Sequence, residues 1–214
     1  MNLEPILIQY GIRLRTVLFP FTALEMIRSL EKKGYELNQS LRTYPVERVT
    51  IEGPIARKGK IGVIVDSGSQ YLGIAGEPKE LVLTEFKELE TQLYEDHNVK
   101  VGDVGQFYIF QAAYSYKTSR KPYETIRNAF GLSKSDELSA ILGADVSLFE
   151  FRVGGTELHV NDVDWFDIKV SPNTLREDAY QFEVGYRNPD KSKTETFIQT
   201  IESKLLQIVK IMER

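Results

Sequence analysis

Apolar and polar residues alternate from the start of the chain. Ile6, Ile8, Tyr10, Ile12 and Leu14 are interleaved with Gln9, Gly11, Arg13 and Arg15, the two-residue period of a strand with one buried face. The period then changes. After Pro20, a capping box at Thr22 and Glu25 precedes Leu24, Ile27 and Leu30 on one stripe, with Gly34 as the stop, which predicts a short helix. Strand-like runs follow at 44–52, 61–66 and 71–75. They are separated by Gly53-Pro54 with its basic segment and by the turn-forming residues 67–69. Val82, Phe86, Leu89 and Leu93 mark an amphipathic helix over 84–95. Tyr108, Phe110, Ala112, Tyr114 and Tyr116 share one parity of a strand over 106–117.

From Thr118 to Ala144 the pattern becomes two short helices, 122–130 and 133–142, each closed by a glycine. Beyond it, strands are expected at 149–153, 156–160, 164–170 and 180–187. Gly154-Gly155 has the composition of a two-residue hairpin turn, since both turn positions require positive φ. Pairing Val153 with Thr156 sets Phe151 against Leu158 and Phe149 against Val160. The other side then opposes Arg152 to Glu157 and Glu150 to His159. A second capping box, Ser192 and Glu195, opens a last helix with Ile198, Ile201, Leu205, Ile208 and Met212 on its apolar stripe. Over barely two heptads that stripe is expected to cover the adjacent sheet rather than a coiled-coil partner.

Strand runs and helices are segregated rather than strictly alternating, which predicts an α+β fold of antiparallel β meanders covered by amphipathic helices. The expected division is an N-terminal α+β domain (1–118), a helical connector (119–145) and a C-terminal ββββα domain (146–214). The outline of the first half suits a ferredoxin-like arrangement, apart from an extra strand around Tyr71. Both halves end a meander with a proline, a Thr-Glu pair and an amphipathic helix: Pro78 with Thr84-Glu85-Phe86, and Pro189 with Thr194-Glu195-Thr196-Phe197. That punctuation raises the question of a duplication without answering it.

At 214 residues the chain can bury a large core, and its composition is that of an ordered globular protein. No run of about eighteen apolar residues is present, and residues 1–5 lack the basic start of a signal peptide, so a cytoplasmic location is expected. The absence of cysteine excludes disulfides, thiolate metal sites and cysteine nucleophiles. A net charge of −4 argues against a broad grip on duplex nucleic acid.

The candidate chemistry is sparse. Arg13 and Arg15, with His159, could hold a small anion, since guanidinium groups grip carboxylate or phosphate bidentately. Tyr114, Tyr116, Lys117, Arg120 and Lys121 combine aromatic faces with cations, the pairing that binds single-stranded nucleic acid, although an aromatic stripe on a strand is more often core. Trp165 has the parity opposite to Phe166, Ile168 and Val170, so with Arg152 and Glu157 it is expected on an uncovered, polar-rimmed interface that a protein partner or a second copy could meet. His159 with Asp162, Asp164 and Asp167 is the densest grouping of metal-type ligands, but strand parity separates Asp164 from Asp167, and no metal is expected. Residues 66–69 read as a turn rather than a phosphate loop. No cofactor motif is present. The sequence therefore favours a non-catalytic binding or assembly module, with nucleic-acid binding and an enzyme of small anionic substrates as alternatives.

Overall fold

The sheet explains the alternation. In a computed structural model, which describes residues 3–15, 24–38, 54–66, 68–130, 135–155 and 163–214, the described strands form one antiparallel sheet. They are β1 (Leu3–Leu14), β2 (Glu36–Leu37), β3 (Ala56–Lys58), β4 (Ile61–Asp66), β5 (Tyr71–Ala75), β6 (Gly105–Lys117), β7 (Phe151–Gly154), β8 (Trp165–Pro172) and β9 (Ala179–Asn188). The described helices are α1 (Leu24–Lys32), α2 (Lys79–His97), α3 (Val101–Val104), α4 (Pro122–Phe130), α5 (Ser135–Leu142) and α6 (Lys191–Met212). The protein is thus α+β.

Across the sheet the strands run β2-β3-β4-β5-β1-β6-β9-β8-β7. Each meander folds back onto the long strand that opens its half, and the two opening strands pair with each other in the middle. This order lends no support to the ferredoxin-like outline, because the strand around Tyr71 is the direct neighbour of β1. The sheet also runs unbroken across residues 119–145, since β6 and β9 pair from Tyr108 with Asn188 to Lys117 with Ala179.

One face of the sheet carries the core. Ile8, Tyr10, Ile12, Phe110, Ala112, Tyr114, Phe182 and Val184 point to it and are buried. Helices α2 and α6 cover it with Val82, Phe86, Leu89 and Leu93, and with Ile198, Ile201, Leu205, Val209 and Met212. Ile208 is only partly buried, and Val209 takes the position expected for it. Rings interlock beneath the central strands: Phe86 sits 4.6 Å from Tyr10, and Phe197 lies 6.3 Å from Phe110 and stacks at 4.1 Å on Tyr186. Helix α6 begins earlier than the expected capping box, because the Asp190 side chain caps it by accepting from the Ser192 and Lys193 amides. Helix α2 starts at Lys79 rather than 84, so its first turn follows directly on Pro78.

The register relates the two halves as a twofold axis would. Tyr10 and Phe110 pair with each other at the centre, and their outer partners are Ile74 and Tyr186. Lys79, the first residue of α2, bonds Glu202 of α6 at 2.7 Å, while Lys191, the first residue of α6, bonds Glu90 of α2. Counted from those lysines, buried Val82, Phe86, Leu89 and Leu93 match buried Thr194, Ile198, Ile201 and Leu205. By that count Phe86 answers to Ile198, and Thr84 and Glu85 answer to Thr196 and Phe197, so the Thr-Glu pair of one half is not the counterpart of the pair at Thr194-Glu195. The match extends back through Gly73 and Gly185 to the two meanders.

Candidate functional site

The face away from α2 and α6 displays the chemistry. On it Arg13 of β1 pairs with Phe107 of β6, Arg187 of β9 lies across from Ile109, and Trp165 of β8 lies across from Arg187. The Arg13 guanidinium lies 5.8 Å from the Phe107 ring centre, and that of Arg187 lies 5.5 Å from Phe107 and 5.1 Å from Trp165. The result is a ladder of cations and rings crossing four strands, each contact of the cation–π kind.

Two rings of this face, Tyr71 and Trp165, lie against glycines. A Cβ at Gly73 would fall 2.2 Å from the Tyr71 hydroxyl and one at Gly11 2.7 Å from its ring, while a Cβ at Gly185 would come within 3.1 Å of Trp165. Glycine at these positions lets the Tyr71 and Trp165 side chains lie close on the sheet. Between them opens a trough of about 420 Å³ whose wall includes Arg13, Arg187, Tyr71, Trp165, Gln9 and Gln111. That volume is in the range of sites for small organic ligands.

Electrostatics distinguish the trough from its surroundings. Among the described lining residues the one carboxylate is Asp66, and it is engaged in the turn after β4. Its Oδ1 accepts from the Gly68 and Ser69 amides at 2.9 and 3.2 Å, and its Oδ2 from the Ser69 hydroxyl at 2.7 Å. Those bonds, the Ser69 hydroxyl first, hold its pKa below the ordinary value. The Nε of Arg13 is buried without a hydrogen-bond partner among the described residues. Beyond Trp165 the charges neutralise one another: Arg152 pairs with Asp167 at 3.1 Å, and Lys169 with Glu150 at 3.1 Å and Glu183 at 3.5 Å.

The fold does not require this ladder. Under the twofold relation, Arg13 corresponds to Ala113, Phe107 to Leu7, Arg187 to Ala75 and Trp165 to Gly62. The same backbone frame is therefore built at its other end from small or aliphatic residues. The ladder thus stands at one end only, against the symmetry of the strands that carry it, while at the other end the cations Lys169 and Arg152 are matched by Glu150, Glu183 and Asp167.

The expected site residues disperse. Arg13 lies in the trough, whereas Arg15 is an exposed residue beyond the end of β1, and His159 lies outside the described residues. Glu157, Asp162 and the strand at 156–160 also lie outside them, whereas Gly154, expected to open a tight turn with positive φ, instead continues β7 and pairs with Asp167 of β8. Within the described part, Phe151 pairs with Val170 and Val153 with Ile168 of β8. Trp165 is on the face away from α6 as its parity predicted, but against Arg187 rather than beside Arg152. The aromatic and basic group does not come together. Tyr114 is fully buried in the core, Tyr116 is packed against that core, Lys117 pairs with Asp178 at 3.1 Å and Lys121 with Glu124 at 3.0 Å. Arg120 is exposed at the start of α4, where its amide donates to Thr118.

Phe107, Arg187, Tyr71, Gln9 and Gln111 were not singled out by the sequence. Their outward parity could be read there, but the adjacency of β1, β6 and β9 could not. A second depression, about 440 Å³, lies at Arg28, Ser29, Lys32, Asp96 and His97. There the Ser29 hydroxyl donates to Asp96 rather than to His97, so the group is not wired as a nucleophile and base. No helix among the described residues is long and apolar enough to cross a membrane. Against protein-family models, curated proteins and solved structures, the chain finds no match to a family, a relative or a known fold.

Proposed function

We propose that the protein is a non-catalytic binding module that holds a small anionic ligand in the trough on the face of its sheet away from α2 and α6. The observation that carries this reading is the one-sided placement of Arg13, Phe107, Arg187 and Trp165, at positions whose twofold counterparts are Ala113, Leu7, Ala75 and Gly62. Two guanidinium groups beside one ring supply a fixed positive field with planar donors. Binding rather than catalysis is favoured because the lining carboxylate, Asp66, is consumed by its turn and kept ionised, so it is poorly suited to give or take a proton near neutrality.

The reading is tested through the chain's single tryptophan. Trp165 fluorescence is followed during titration with pyrophosphate and with aromatic carboxylates. The expected result is a saturable change that Arg13→Ala weakens about tenfold or more and Arg152→Ala leaves intact, since loss of a charge-assisted pair costs roughly 1.5–3 kcal/mol. A response that does not saturate, or that Arg13→Ala leaves unchanged, overturns it.

A further inference from the structure

Resting on that reading, we infer that the ligand is a single nucleotide: a phosphate held by Arg13 and Arg187, with a heteroaromatic base lying between Tyr71 and Trp165. The rows of the sheet set the spacing. Arg13 and Phe107 pair at one end of the trough, and Gln9 and Gln111 pair four residues further along the same two strands. At the rise of a strand, that separates Arg13 from the amide row by about 13 Å, and Arg187, across from Ile109, lies in the row between. A phosphate beside the guanidinium groups therefore places a base, one sugar away, between the rings and within reach of the amides.

Each part of the trough suits a different part of such a ligand. Guanidinium groups match phosphate oxygens. The Tyr71 and Trp165 rings, lying close on Gly11, Gly73 and Gly185, bound a floor between them on which a flat base can lie. Gln9 and Gln111 each carry a donor and an acceptor on one planar group, the pattern that reads the edge of a base. A plain inorganic anion uses the first part alone, and a flat apolar ligand the second alone.

The extent of the positive field points to one nucleotide rather than a strand. A polynucleotide needs cations along its path. On one side of the trough, Arg152 and Lys169 are already matched by Asp167, Glu150 and Glu183. At the end beyond the glutamines the surface turns to Leu7 and Ala113.

Calorimetric titration of the full chain separates the two readings. The probes are adenosine, guanosine, cytidine and uridine 5′-monophosphates, ribose 5-phosphate, pyrophosphate and an eight-nucleotide single strand. At least one mononucleotide is expected to bind about tenfold more tightly than ribose 5-phosphate. Arg13→Ala should abolish that binding, and Gln111→Leu, at an exposed position on β6, should alter the ranking among bases by about fivefold or more. Unchanged melting temperatures of the two variants show that the frame persists. If ribose 5-phosphate or pyrophosphate binds as tightly as every nucleotide, the nucleotide assignment falls while the anion-binding module stands. If none of the probes saturates, both fall. If the single strand binds more than about tenfold more tightly than any mononucleotide, or if Gln111→Leu leaves the ranking intact, the assignment is also overturned.

Discussion

Gly11 shows how closely the residue scale is constrained. A Cβ there would sit 2.3 Å from the Leu72 carbonyl oxygen and 2.6 Å from the Gly73 Cα, both backbone atoms of the adjacent strand. Neither can swing aside as a side chain can, so the strands would have to part in the middle of the sheet. Gly11→Ala is therefore expected to destabilise the fold by about 2–4 kcal/mol, read as a lower urea midpoint; a change under about 0.5 kcal/mol would contradict the packing. At this scale the sequence was legible only in part. Parity correctly placed Arg13 and Trp165 outward and Ile168 and Val170 inward. It could not show that Gly11, Gly73 and Gly185 lie beneath the rings of Tyr71 and Trp165, because those contacts involve residues on different strands or two places apart on the same one.

At the scale of elements, the reciprocal ion pairs between α2 and α6 are the feature most open to measurement. Lys79 with Glu202 and Lys191 with Glu90 each join the first residue of one helix to the middle of the other, over the same face of the sheet. All four side chains are partly buried. Burial pushes the Glu90 carboxyl above its ordinary pKa, against the pull of Lys191. Double-mutant cycles in urea are expected to give each pair a coupling of about 0.5–1.5 kcal/mol; zero coupling in either would show that the frame's symmetry does not extend to its energetics. Helix existence and the buried stripes were readable from the period of three and four. Helix starts were not. Asp190 caps α6 from outside the Ser192–Glu195 box, because its carboxylate accepts the Ser192 and Lys193 amides and so competes locally with the Ser192 hydroxyl for the role of cap.

For the whole molecule the decisive fact is continuity. The first and last thirds of the chain share one sheet through β1, β6 and β9, and α2 and α6 are bonded across it. We expect the two halves to unfold together. Trp165 fluorescence reports β8, and far-UV circular dichroism reports every helix and strand, so the two denaturation curves should coincide. A tryptophan transition clearly separated from the dichroic one would instead favour independent domains divided at residues 119–145.

The sequence by itself determined the class of the fold, the longer strands and helices of the described part, and which side of those strands faces the core; it gave no sign of β2, β3 or α3, which are too short to show a period. What it determined follows from periodicity, which is a local property. Only the tertiary structure decided that β1 and β6 are neighbours, that the halves match about them, and that Arg13, Phe107, Arg187 and Trp165 meet. Strand order is set by which edges find hydrogen-bonding partners after chain reversals of many residues. No spacing along the chain encodes it, so a site assembled across strands stays hidden until the sheet closes.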